Sequence, residues 1–186
     1  MLLFIQQRVD AEPVPMAIAG IERIFHINVV CRDLERSLRF YVDILGMHVV
    51  DGPFDAEGPA LAGIGHGAQS WGVAPDEVKI RFAFLRFGDD ANETILDLLE
   101  FVEPRSYGAP HPNLQMIGIA RIALKVDDVQ SSYQALLAKG VKFISPPVPI
   151  TLGDNLLHGI AYCCFHDPDG TILELYGPTV PQAAGA

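Results

Sequence analysis

With 186 residues, 49% hydrophobic and 19% charged, the chain has the length of one domain or two very small ones and enough apolar content for a packed core, which excludes intrinsic disorder. Its 13 Lys and Arg against 23 Asp and Glu give a net charge of -10 with no local basic cluster, so nucleic acid and membrane surfaces are excluded as partners and a small-molecule ligand remains. Met1–Ile5 is too short for the apolar stretch of a secretory signal, and Leu114–Leu124, broken by Gln115 and Arg121, cannot span a bilayer; a cytoplasmic protein is expected. Cys31, Cys163 and Cys164 are odd in number and lack metal-type spacing, which reads as buried, reduced thiols.

In chain order, residues 1–20, with Pro13 and Pro15, stand outside any repeat and read as a tail, an added strand or an oligomer contact. A strand follows in IERIFHINVV, with Ile24, His26 and Asn28 on one face and Phe25, Ile27 and Val29 on the other. Asp33 then offers a side-chain cap, Leu34, Leu38, Tyr41 and Leu45 repeat at helical spacing, and Gly46 supplies a left-handed stop. Strands are expected at Met47–Asp51 and Lys79–Phe87, separated by a Gly- and Pro-rich insertion over 51–76 that carries Phe54 and the single tryptophan, Trp71. The pentapeptide Thr94-Ile-Leu-Asp97-Leu98 closes the first half as a further strand.

The second half repeats this order. IARIALKVDDVQSSYQALLAKG over 119–140 matches 24–46, placing Arg121 at the position of His26, Asp128 at that of Asp33 and Gly140 at that of Gly46. Strands are expected at Val141–Ile144 and His158–Phe165, and Thr171-Ile-Leu-Glu174-Leu175 duplicates the earlier pentapeptide with its carboxylate at the same place. His166-Asp-Pro-Asp-Gly170 reads as a tight turn between antiparallel strands. The organisation is thus a module over 21–102 holding the insertion, a linker over 103–116, a module over 117–178 and a tail over 179–186, each module running strand, helix, then about three strands.

His26 beside this helix, the segment VDDVQSSYQALLAKGV and the closing HDPDGTILELYGP resemble the vicinal oxygen chelate superfamily, which unites glyoxalases, bleomycin-resistance proteins and extradiol dioxygenases. The resemblance implies an α+β fold of paired βαβββ modules forming a half-open barrel around a central ligand cavity, and frequent homodimers. It also implies an enzyme of the glyoxalase-like group, a lyase, isomerase or epimerase that transfers a proton next to a carbonyl. A non-catalytic drug- or metabolite-binding protein is the alternative, and a ring-cleaving dioxygenase the third reading. In metal-dependent members the ligands sit on the first and last strand of each module, which here are His26, Asp97, Arg121 and Glu174. Arg121 breaks that set, because a guanidinium carries only donors and keeps its charge. His26, Asp97 and Glu174 are left to hold an ion such as Zn, Mg, Mn, Fe or Ni, and a site without metal is the other expectation.

Each residue has a structural alternative. His26 is a ligand or general base, or else a histidine satisfied by the backbone. Glu174, a carboxylate in an apolar strand, serves the site or pairs with Arg121. Arg121 is either that ion pair or a grip on an anionic ligand. Asp97 competes with Glu100, which strand alternation sends to the opposite face. His26, Arg121 and Glu174 are the catalytic candidates, and Asn28, Phe54 and Trp71 the ligand-binding ones. His48, His66, His111, His158 and His166 fall near loops or strand ends, with His66 and His158 within reach of a pocket mouth.

Overall fold

A computed structural model describes residues 20–58, 60–61, 72–151 and 159–179. The first half opens with β1 (His26–Cys31) and Asp33, whose carboxylate accepts the Arg36 N–H at 2.8 Å and starts α1 (Leu34–Leu38). This helix widens into a π-helical turn over Arg39–Ile44 before Gly46, at φ 84°, releases the chain. β2 (His48–Glu57), a 3-10 turn at Pro75–Glu77, β3 (Lys79–Arg86) and β4 (Ile95–Glu103) follow. The sheet order is β1-β4-β3-β2, with β1 and β4 parallel and the other pairs antiparallel.

The second half builds the same unit: β5 (Ile122–Lys125), α2 (Val129–Ala138) capped by Asp128 on the Gln130 and Ser131 N–H groups, then β6 (Val148–Pro149), β7 (Ile160–His166) and β8 (Ile172–Pro178). Its order, β5-β8-β7-β6, repeats that of the first sheet. The fold is therefore α+β, two βαβββ modules whose sheets do not close, as in a half-open barrel. Two strand expectations shift. Val141–Ile144 contributes only an isolated bridge from Phe143 to Phe165, and the strand on β7 is the two-residue β6, in a stretch where Pro146, Pro147 and Pro149 remove ladder donors. β2 runs past its expected end at Asp51 to Glu57, tolerating Gly52-Pro53 through two register shifts against β3.

One face of each sheet carries the core. Val29, Leu85, Leu98, Phe165, Leu173 and Leu175 bury against Leu34, Phe40, Tyr41, Val129 and Leu136 from the helices, and the cluster runs through both modules. Each such Leu contributes about 1.5–3 kcal/mol. The tight turn after β7 joins the modules as well. Asp167 Oδ1 accepts the Asp169 and Thr171 N–H groups, while its Oδ2 accepts the buried Tyr41 hydroxyl at 3.0 Å. Asp169 accepts the Arg32 N–H and guanidinium, both at 3.0 Å, and the Arg36 guanidinium. At α2 the Lys139 ammonium donates to the carbonyls of Asp43 and Ile44 at 3.0 and 2.8 Å. Among the described residues no helix is long and apolar enough to cross a membrane.

Candidate functional site

On the opposite face of the first sheet Ile80 and Leu99 bury in a smaller apolar cluster with Leu61 and Val78, and the candidate residues lie on this side of each sheet. In β1, His26, Asn28 and Val30 point to this side and are exposed, whereas Val29 and Cys31 are buried. The parallel register sets Asn28 against Asp97 of β4, and Asn28 Nδ2 donates to Asp97 Oδ2 at 2.6 Å. Asp97 is 8% exposed, yet its Oδ1 is buried with no hydrogen-bond partner among the described residues. Burial pushes the Asp97 carboxyl above the usual carboxylate range, while nearby His26 and the Asn28 amide pull it back only in part. Glu100 is on the helix side, where it accepts the Leu34 N–H at 3.0 Å and stands 3.7 Å from Arg81, so Asp97 is the acid on the open face.

Phe84 is the cross-strand neighbour of Asp97, and Phe82 stacks with Phe84 at 5.7 Å and with Phe54 at 5.3 Å between ring centroids. Phe54 thus ends an aromatic row that leads to Asp97. Phe82 and Phe84 were not singled out from the sequence, although the alternation Ile80, Phe82, Phe84 against Arg81, Ala83, Leu85 in KIRFAFLR carries the signal.

The second module handles its acid differently. Ala123, not an amide, stands opposite Glu174 in the parallel register, and it offers no donor. Glu174, 2% exposed, instead forms an ion pair with Arg121, which stands two residues before Ala123. Cys164, opposite Glu174 on β7, places its thiol 3.6 Å from the same carboxylate oxygen, and Arg121 lies 5.9 Å over the Tyr162 ring. Burial raises the Glu174 carboxyl, with Arg121 and Cys164 opposing that rise, and burial likewise raises the Cys164 thiol. Tyr162 and Cys164 were also not singled out as site residues.

The chain therefore brings His26, Asn28 and Asp97 together in one module and Arg121, Glu174 and Cys164 in the other. Among the described residues no group of three or more His, Cys, Asp or Glu side chains is placed to hold a metal ion, so His26, Asp97 and Glu174 do not form a trio within one chain. The donors confirm the misfit: Arg121 brings a fixed positive charge and uses an oxygen of Glu174. The other histidines serve elsewhere or are exposed. His48 lies 3.8 Å from Asp89, His111 approaches Gly118, and His166 ends β7 in solvent. Trp71, His66 and His158 lie outside the described residues.

A family model, Glyoxalase/Bleomycin resistance protein/Dioxygenase superfamily, matches residues 23–175. The chain belongs to this superfamily. A probable lactoylglutathione lyase from Synechocystis is 26% identical over 152 residues, covering 82% of this chain and 92% of the relative. An uncharacterized protein, YwbC, from Bacillus subtilis is 26% identical, covering 83% and 97%. Among solved structures, a glyoxalase family protein from Bacillus cereus superposes with a TM-score of 0.67 at 15% identity over 89% of this chain and 99% of that one. A glyoxalase I mutant from Zea mays gives 0.59 at 23% identity, with this chain spanning 45% of its length. The superfamily match spans both modules, and it thus takes in the Asn28–Asp97 pair and the Arg121–Glu174 pair together.

Proposed function

We propose that the chain is a glyoxalase-like enzyme that moves a proton on the carbon next to a carbonyl of a small, partly apolar substrate. The observation that carries this reading is Asp97: a buried carboxyl, oriented by Asn28 through one oxygen, with the other oxygen near His26 and an aromatic row and without a partner among the described residues. Such an oxygen is a stronger base than an exposed carboxylate, since burial favours its protonated form. On an α-hydroxy carbonyl, Asp97 Oδ1 takes the C–H proton to give an enediolate, the hydroxyl proton passes to the former carbonyl oxygen, and Asp97 returns its proton to the former carbonyl carbon, giving an isomer of unchanged composition. His26, at the exposed rim, donates to the developing oxyanion.

Arg121 is suited to hold the same charge from across the hollow. We infer that a second copy brings it there: Val30, Phe54, Ile117 and Ile119 leave an apolar surface on and beside the open face, 47%, 40%, 99% and 75% exposed. In a homodimer, Arg121 and Glu174 of the partner subunit would face His26 and Asp97. This reading routes no step through a metal, because Arg121 stands where the second module would supply a ligand.

The test is wash-in of solvent deuterium at the carbon next to the carbonyl, followed by proton NMR on lactoylglutathione and a panel of α-hydroxyketones. Exchange with at least one compound is expected, falling by about 100-fold or more in Asp97→Asn and unchanged by a chelator. Absence of exchange across the panel, or full exchange in Asp97→Asn, overturns the reading. The ion pair of Arg121 with Glu174 favours a second reading, a sequestering protein, in which the same compounds bind and none exchanges.

A further inference from the structure

A cavity of about 690 Å3 lies apart from the open face, between the helices and the edge strands β1 and β5. Neither His26, Asp97, Arg121 nor Glu174 lines it. Its wall is apolar: Ile44 and Leu45 from the end of the π-helical turn, Leu136 from α2, Leu124 from β5 and Leu173 and Leu175 from β8. β1 and β5 make no ladder with each other; each is the edge of its own sheet, and residues of both line the cavity. The volume falls within the roughly 300–1,000 Å3 of pockets that enclose small organic ligands.

The charges on this wall point to the ligand's polar end. The chain has four lysines, Lys79, Lys125, Lys139 and Lys142, and two of them, Lys125 and Lys139, line this cavity in a protein of net charge -10. Lys139 is fixed by the Asp43 and Ile44 carbonyls, which take two of its three N–H bonds. Lys125 is exposed and has no ion-pair partner among the described residues. Glu93, the one acid on the wall, turns its carboxylate to the Gly88 N–H at 2.7 Å.

We propose that this cavity binds one amphipathic carboxylate per chain, with an unbranched alkyl tail among the leucines and its carboxylate at Lys125 and Lys139. The site is independent of the proton-transfer reading, because it shares none of those residues.

Isothermal titration calorimetry of the full chain with saturated carboxylates from octanoate to dodecanoate tests it. One saturable site is expected, tightening by about fourfold per added methylene until the cavity is full. Lys125→Gln weakens dodecanoate by about threefold, the size of an exposed ion pair, and leaves dodecanol unchanged. Ala135→Phe, which fills the cavity from α2, weakens both by about tenfold or more. Because that variant can fail to fold, methyl NMR of the unaltered chain supplies a second measurement: a spin-labelled fatty acid broadens Ile44, Leu124 and Leu136. No saturable uptake by the full chain overturns the proposal. So does uptake that leaves those methyl groups untouched or survives Ala135→Phe in a folded protein.

Discussion

Asp97 and Glu174 occupy the same place in two copies of one unit, and both of their cross-strand neighbours differ: Asn28 and Phe84 flank Asp97, Ala123 and Cys164 flank Glu174. Opposite Asp97 stands Asn28, a neutral donor that satisfies one oxygen and leaves the other without a partner among the described residues. Opposite Glu174 stands Ala123, and the acid takes its partner from Arg121 instead. His26, at the place equivalent to Arg121, is thereby spared from pairing and stays exposed. Duplication has thus arrived at two ways of keeping a buried acid: an amide that bonds one Asp97 oxygen, and a guanidinium that holds Glu174 in an ion pair.

The largest effect should come from breaking the ionic copy. Arg121→Met leaves Glu174 buried without its counter-ion and is expected to cost about 3 kcal/mol of unfolding free energy in urea melts, at the lower end for buried pairs because the Arg121 side chain is 39% exposed. Asn28→Ala, the equivalent change at the neutral copy, should cost about 1–2 kcal/mol. Equal costs would show that the two acids are held alike.

Next in size is the turn that both modules share. Asp169→Ala removes an acceptor used by Arg32 and Arg36 and should cost about 2 kcal/mol at neutral pH, discounted for the half-exposed arginines. Burial alone would raise the Asp169 carboxyl, but the Arg32 N–H and the two guanidiniums outweigh it and lower it below 3.8. Its contribution is therefore present above that unfolded value and lost as pH falls through the lowered folded value, so the variant should lose the acid limb of the stability profile.

Asp97 has the opposite sign. Its folded carboxyl is raised above 3.8, so the associated stability is complete below that value and declines as pH rises through the folded one. Asp97→Asn should flatten that decline and raise neutral-pH stability by about 1 kcal/mol in the same melts, while removing deuterium exchange. The smallest expected effect is none. Burial pushes the Cys31 and Cys163 thiols up to about 11 and about 12, so native protein should resist iodoacetamide at pH 8 and become alkylated at both after unfolding, as read by mass spectrometry.

What was legible in the sequence follows the range of the interactions. Asp33 and Asp128 act within three residues of themselves, and both caps are where the repeat placed them. The duplicated pentapeptides located both acids, and alternation separated Asp97 from Glu100. The pairing of Arg121 with Glu174 stood among the alternatives. The bond from Asn28 to Asp97 spans 69 residues and depends on a strand register that composition does not encode. The π-helical turn was hidden because Arg39–Ile44 keeps the helical spacing of its apolar residues. β6 was missed because Val141–Ile144 has the better strand composition, and pairing to β7 was decided by the tertiary fold. Asp167 and Asp169 fit a turn by residue type alone, and their other partners are more than 120 residues away.

Lys139 and the Asp167–Asp169 turn have a mechanical consequence. They rivet the two halves at separate points, one from α2 onto the end of the π-helical turn, the other from the β7–β8 corner onto α1 and Tyr41. A chain stitched in this way resists hinging along the seam between its sheets. In the proposed enzyme, entry of a substrate would then come from somewhere other than a hinge between the halves, and the stiff body keeps His26, Asn28 and Asp97 in register.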